Sequence, residues 1–309
     1  MMSNPEMKLP PLPPWLTPHF PLDRRVETVE DLTGATRHVH LVDHGPREAP
    51  VALMIHGNPT WSFLWRRVIE RLPRLRCVAP DLIGLGLSEK PRDPGWHTVA
   101  QHVHILDALV TRLQLRRVIL VAQDWGGPFA VGLAARRPEL VEGVVLGNTA
   151  IATLTRKSST AFHRFARTPI LSDLVFRGLG FPQGFMGPVQ GDRRSISGVV
   201  SRAYRYPLRD PRDRVAPLAL ARLVPDGPEH PTTATLAPGY AWARGFAGPA
   251  ALVWGTRDPI LRRALTRTRE TFRDVTVTET QAGHFLQEEV PDELAAAIED
   301  VRTRAVPSA

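Results

Sequence analysis

The sequence predicts an α/β protein: a mostly parallel sheet flanked by helices, with one helical segment inserted late in the chain. Three observations predict it. Short apolar runs recur, each bounded by turn residues, as expected of strands buried on both faces of a parallel sheet. Segments with apolar residues at helical spacing alternate with them. That alternation stops after Ile151 and resumes only beyond Tyr240.

In chain order, residues 1–22 form a proline-rich N-terminal extension. Arg25 to Leu32 and Arg37 to Val42 alternate polar and apolar residues, which predicts an antiparallel edge hairpin turning at Gly34. Val51 to Ile55, Cys77 to Ala79, Val118 to Ala122 and Val144 to Leu146 are the next strands, with helical patterns at Trp61 to Leu72, Val99 to Leu113 and Gly127 to Arg136. From Ile151 to Tyr240 no strand-like run occurs, and Pro and Gly break up short helical patterns such as Thr160 to Ala166 and Ile170 to Leu179. Strands return at Ala250 to Trp254 and Val275 to Thr278, and Pro291 to Arg304 closes the chain as an amphipathic helix. The expected organisation is a core of residues 23–150 and 241–309 with a helical insertion at 151–240.

Composition narrows the function classes. Of the 309 residues, 43% are hydrophobic and 23% charged, the balance of a folded globular chain. The net charge of +8 comes almost wholly from arginine, because Lys8, Lys90 and Lys157 are the only lysines. The arginines are scattered, with no basic helix or aromatic-interleaved patch, so nucleic acid is not an expected partner. The single cysteine, Cys77, leaves no internal disulfide and reads as a buried strand thiol. With no apolar signal-peptide core and no run of about 18 apolar residues, no membrane is expected as a partner and a cytoplasmic location is.

Three motifs carry chemistry. Ala122-Gln123-Asp124-Trp125-Gly126-Gly127 follows a strand and opens a helix, the pattern of a nucleophile elbow in which small residues permit a sharp turn. Here the lifted side chain is a carboxylate. It suits displacement at a saturated carbon, since the resulting ester can be hydrolysed in a second step. An N-cap role for Asp124 is the plain alternative. His56-Gly57-Asn58-Pro59-Thr60 follows the strand ending at Ile55, where the backbone N–H groups of Asn58 and Trp125 are placed to form an oxyanion hole. A simple turn would explain Gly57 and Pro59 but not Asn58. Finally, Asp258 follows the strand ending at Trp254, and His284 follows the last strand within Gly283-His284-Phe285. The chain order nucleophile, acid, histidine is the one such elbows use.

Together with Trp65-Arg66 and the loop Asp81 to Ser88, these motifs resemble those of the haloalkane dehalogenases of the α/β-hydrolase superfamily, over roughly residues 22 to 303. The Asp81 to Ser88 loop is general to the superfamily and is read as structural. The narrower signature is Asn58 with Gln123-Asp124-Trp125. The resemblance implies that Asp124 attacks the halogen-bearing carbon while the Asn58 amide and the Trp125 indole hold the departing halide. His284, oriented by Asp258, then activates a water against the alkyl-enzyme ester. It implies a small halogenated aliphatic substrate, water and a halide ion as partners, no metal or organic cofactor, and a helical cap made by the insertion. The insertion has no Trp, so a cap donor is not available and Asn58 must serve. The strand-six position of the acid in some members is Asn148 here, which leaves Asp258. Within the cap, Phe162, Phe165, Leu171, Phe176, Phe181, Phe185 and Met186 form an apolar set, each suited to packing within the cap or to lining a pocket.

Two rivals share the fold. An epoxide hydrolase needs cap tyrosines as proton donors, and Tyr204, Tyr206 and Tyr240 lie in the right region, although an aromatic residue usually stands in place of Asn58. A non-catalytic ligand-binding protein is the other, and retention of all five chemical groups argues against it.

Overall fold

The computed structural model of the chain describes residues 9–305. Strand β5 (Val118–Gln123) shows how the sheet is buried: Val118, Leu120 and Ala122 enter one apolar cluster, while Ile119 and Val121 enter a second on the opposite face. The same alternation repeats in β3 (Val51–Ile55), where Leu53 and Met54 face opposite ways, and in β7 (Ala250–Gly255), where Leu252 and Val253 do. A side chain buried this way contributes roughly 1.5–3 kcal/mol, so a strand apolar on both faces is stable only at the centre of a covered sheet. The remaining strands are β1 (Arg24–Glu30), β2 (Thr36–His44), β4 (Arg76–Pro80), β6 (Val141–Gly147) and β8 (Val275–Thr280), in the order β1-β2-β4-β3-β5-β6-β7-β8. The edge hairpin is as expected, with Gly34 at φ +79°, and β2 pairs antiparallel with β4; every later pairing is parallel. Cys77 is buried in β4, and burial pushes its thiol up to about 12.

The helices are α1 (Arg66–Ile69), α2 (Val99–Arg112), α3 (Gly126–Arg136), α4 (Ala161–Ala166), α5 (Leu171–Asp173), α6 (Gly198–Arg205), α7 (Val215–Leu223), α8 (Pro231–Gly245), α9 (Leu265–Arg269) and α10 (Pro291–Ala305). Apolar residues of α2, α3 and α8 cover one face of the sheet; those of α1 and α10, with Leu16 and Phe20 of the N-terminal extension, cover the other. The single helix expected over Trp61 to Leu72 is instead a 3-10 turn, Ser62–Trp65, running into the short α1. Residues 151–240 contain no strand. Their last ten residues begin α8, which lies on α3 with Gly239 against Val131, so this end of the insertion packs with the core. Phe165, Phe176 and Phe181 pack on one another beside Leu218, whereas Phe162, Leu171 and Phe185 are exposed and Met186 joins the core below. The apolar cap set thus divides among three environments.

Candidate active site

All the chemical groups sit at one edge of the sheet because they follow the carboxyl ends of parallel strands, where α/β sheets place their ligands. Asp124 follows β5 at φ +51°, a strained value for a non-glycine residue. Its surroundings hold it there. Its N–H donates to Asn148 O (3.1 Å), and its carbonyl accepts from Gly127 N–H (3.1 Å) and from the Thr149 hydroxyl (2.6 Å). The flanking glycines are required by space: a Cβ on Gly126 would lie 2.0 Å from Ile55 O, and one on Gly57 would lie 2.4 Å from the Asp124 side chain. The side chain is 16% exposed, so it is reachable yet mostly desolvated.

The two carboxylate oxygens of Asp124 have different surroundings. Oδ1 accepts from the Asn58 backbone N–H (2.8 Å), and the Trp125 N–H also serves the carboxylate. Oδ2 faces His284 Nε2 at 3.7 Å, beyond hydrogen-bond reach. Burial pushes the Asp124 pKa up, against the lowering influence of His284 and the two N–H groups. His284 Nδ1 donates to Asp258 Oδ2 (2.9 Å), and Asp258 Oδ1 accepts from Ile260 N–H (2.6 Å). Burial disfavours the imidazolium, but the Asp258 carboxylate and then Asp124 outweigh it and hold the His284 pKa above its ordinary value.

Asn58 Nδ2 donates to the Pro217 carbonyl of α7 (3.0 Å), leaving its second N–H free, and Asn58 Oδ1 is buried without a partner. The Trp125 ring is buried and stacked on Phe129 (5.4 Å between centroids). Among the described residues none accepts from its indole N–H. Both side chains expected to receive an anion thus carry an uncommitted donor.

His56 is a brace: Nδ1 lies 2.9 Å from Gly57 O, and Nε2 accepts from Leu82 N–H (2.9 Å). Asp81 of the superfamily loop is fully used within the fold, accepting from Ser62 N–H (2.6 Å), Leu87 N–H (2.7 Å) and His40 Nδ1 (2.8 Å). The candidate tyrosines do not reach the site. Tyr204 is buried with its hydroxyl donating to Glu288 (2.5 Å), Tyr206 packs edge-on against Trp15, and Tyr240 lies beside Arg244.

Sequence reading missed several partners. Asn148, noted only as unable to carry charge, donates to Gly283 O (2.8 Å) and accepts from Gly255 N–H (2.8 Å), so it ties the acid and histidine loops to the elbow. Gln123 donates to His284 O (3.1 Å). From the insertion, Val189 O accepts from His284 N–H (2.9 Å), and Gln190 both accepts from Phe285 N–H (2.9 Å) and donates to Phe285 O (3.1 Å). Asparagine and glutamine at strand and loop ends were the available signal, and it is a weak one.

An elbow carboxylate, a histidine paired with an acid, and backbone N–H groups turned toward that carboxylate define an α/β hydrolase, and the family model described as the alpha/beta hydrolase fold matches residues 50–291. The chain is 37% identical over 270 residues to haloalkane dehalogenase 2 of Mycobacterium tuberculosis, covering 84% of this chain and 90% of that protein. It is 31% identical over 272 residues to the haloalkane dehalogenase of Mycobacterium marinum, covering 84% and 87%. Among solved structures, haloalkane dehalogenase DbeA from Bradyrhizobium elkani USDA94 superposes with a TM-score of 0.79 at 28% identity, covering 91% of this chain and 99% of that one. DatA from Agrobacterium tumefaciens C58 gives 0.76 at 28%, covering 92% and 97%. The chain belongs to the haloalkane dehalogenase family.

Proposed function

We propose that Asp124, His284 and Asp258, with Asn58 and Trp125, carry out the hydrolytic cleavage of carbon–halogen bonds in small haloalkanes, giving alcohol, halide and a proton. The observation that carries this reading is the division of labour at Asp124. Oδ2 is free of hydrogen bonds and attacks the carbon; the C–O bond forms as the carbon–halogen bond breaks, and the halide leaves with the bonding pair. The second Asn58 N–H and the Trp125 indole N–H stabilise the charge where it develops, in a largely dry site. Oδ1 becomes the ester carbonyl oxygen. When water attacks Cγ, the oxyanion builds on the atom that Asn58 N–H already contacts, so the donors need no rearrangement. His284 takes the proton of that water, and Asp258 fixes the tautomer that leaves Nε2 free to do so. Residues 151–240 act as the cap over this site, aiming Asn58 through the Pro217 carbonyl. With Tyr204 committed to Glu288, nothing at the site favours epoxide opening.

The test separates the two steps. Displacement needs no proton transfer, so His284→Phe is expected to release one bromide per chain from 1-bromobutane and then stall, because a general base is worth about 10²–10⁴-fold. Intact-protein mass spectrometry should show one butyl adduct, mapping to the peptide that holds Asp124. Full turnover by His284→Phe, or an unmodified variant beside an active wild type, would overturn the assignment.

A further inference from the structure

Outside the active site, a cleft of about 640 Å³ lies between the N-terminal extension and the cap, and none of Asp124, Asn58, Trp125, His284 or Asp258 lines it. Its walls carry Arg202, Arg205, Arg209 and Arg214 and no acidic residue. Among the described residues none of these four lies within ion-pair distance of a carboxylate. Asp210, beside Arg209 in sequence, is taken by Arg212 (2.6 Å). Like charges around one concave surface raise its potential and favour an anion there.

Two further features separate this cleft from a solvated arginine surface. Gln183, which lines it, is 3% exposed, yet neither atom of its amide has a hydrogen-bond partner. A buried amide left unpaired loses its hydrogen bonds to water without replacement, and a bound group would restore them. Gln183 and Arg214 meet at Gly180, where a Cβ would lie 3.3 Å from Gln183 Nε2 and 3.4 Å from the Arg214 guanidinium. Arg214 spends four N–H bonds on the carbonyls of Leu208, Arg177, Gly178 and Arg209, which anchors it and leaves one of its five donors. The rest of the cleft is apolar. Trp15 and Tyr206 meet edge to face with Arg202 over the indole, and Leu179 (67%) and Phe185 (54%) are exposed at the opening.

We propose that this cleft is a binding site for a small organic anion, a carboxylate borne on a flat apolar body. The carboxylate reaches the Gln183 amide and the arginines, and the body lies against the aromatic wall that Trp15 completes. The proline-rich extension then has a role as one side of the site.

Calorimetric titration of the full chain with 1-naphthoate, its neutral analogue 1-naphthalenemethanol and inorganic phosphate tests this. Naphthoate is expected to saturate at one per chain, at least tenfold more tightly than either other probe. The double variant Arg202→Gln/Arg205→Gln should weaken naphthoate at least tenfold while releasing bromide from 1-bromobutane at the wild-type rate. Gln183→Leu should also weaken it, with a thermal midpoint equal to or above wild type, because an unpaired amide has been removed. Equal binding of the alcohol removes the case for an anion, and equal binding of phosphate removes the case for an apolar body. Undiminished binding in the arginine double variant overturns the site, and weakened binding with an equal loss of bromide release would place the ligand at Asp124 instead.

Discussion

The proposed function gives Asn58 two tasks that its sequence position alone does not separate. Its backbone N–H sits on Asp124 Oδ1, and its side chain, oriented by the Pro217 carbonyl, keeps one N–H free, which the proposal assigns to the departing halide. Asn58→Ala removes the second task and leaves the first. Loss of one such donor typically costs roughly 3 kcal/mol, or about a hundredfold. The first-turnover release of bromide, followed by stopped flow, should therefore slow by about that factor, while hydrolysis of an ester already formed should change little. An unaltered bromide burst would place the second halide donor elsewhere. Asp124, His284, Asp258, Asn58 and Trp125 could be singled out in the sequence because each stands in a short motif whose residue types have a chemical reason to be together. The Pro217 carbonyl was not, since a backbone acceptor leaves no mark on the sequence.

At the scale of elements, the insertion holds the histidine loop in place. Residues 189–191 grip the histidine loop: Val189 O holds His284 N–H, Gln190 holds both backbone groups of Phe285, and a Cβ on Gly283 would come within 2.3 Å of Gln190 Cα. Gln190→Leu leaves the Phe285 N–H buried and unpaired, at about 1–3 kcal/mol, while Phe285 O keeps only the Glu288 N–H (3.1 Å), so the loop is expected to shift. Because the proposed mechanism uses the histidine only in the second step, the bromide burst should keep its rate while steady-state turnover falls about tenfold, and Gln190→Glu, which restores the acceptor, should recover part of it. Equal slowing of both phases would show a general loss of structure instead. The strands and the helices α2, α3 and α10 were readable from periodicity, because a sheet covered on both faces imposes it. Short 3-10 and π turns such as Leu174–Gly178, and contacts between residues 190 and 285, have no local period and were not.

For the molecule as a whole, the superfamily loop read from sequence as structural is the point where the edge hairpin joins the parallel sheet. Asp81 is buried there and binds His40 of β2, Ser62 ahead of α1 and Leu87 of its own loop. Burial alone would raise its pKa, but attraction and hydrogen bonding from His40, then His56 and the Leu87 N–H, outweigh burial and lower it to about 2 from an ordinary 3.8. A carboxylate with a depressed folded-state pKa stabilises the fold above its unfolded value and loses that contribution as pH falls toward the folded one. The shift corresponds to about 2 kcal/mol above pH 5, of which about half is gone at pH 3. Urea unfolding of wild type and Asp81→Asn at both pH values measures this directly. The variant is expected to be less stable at pH 5, with the gap narrowing by about 1 kcal/mol at pH 3. Since Asp81 joins the hairpin to the sheet, hydrogen exchange in β1 and β2 should rise first as wild type is acidified. A gap that stays constant between the two pH values would mean that Asp81 contributes through its shape and hydrogen bonds alone, and that acid sensitivity arises at another carboxylate.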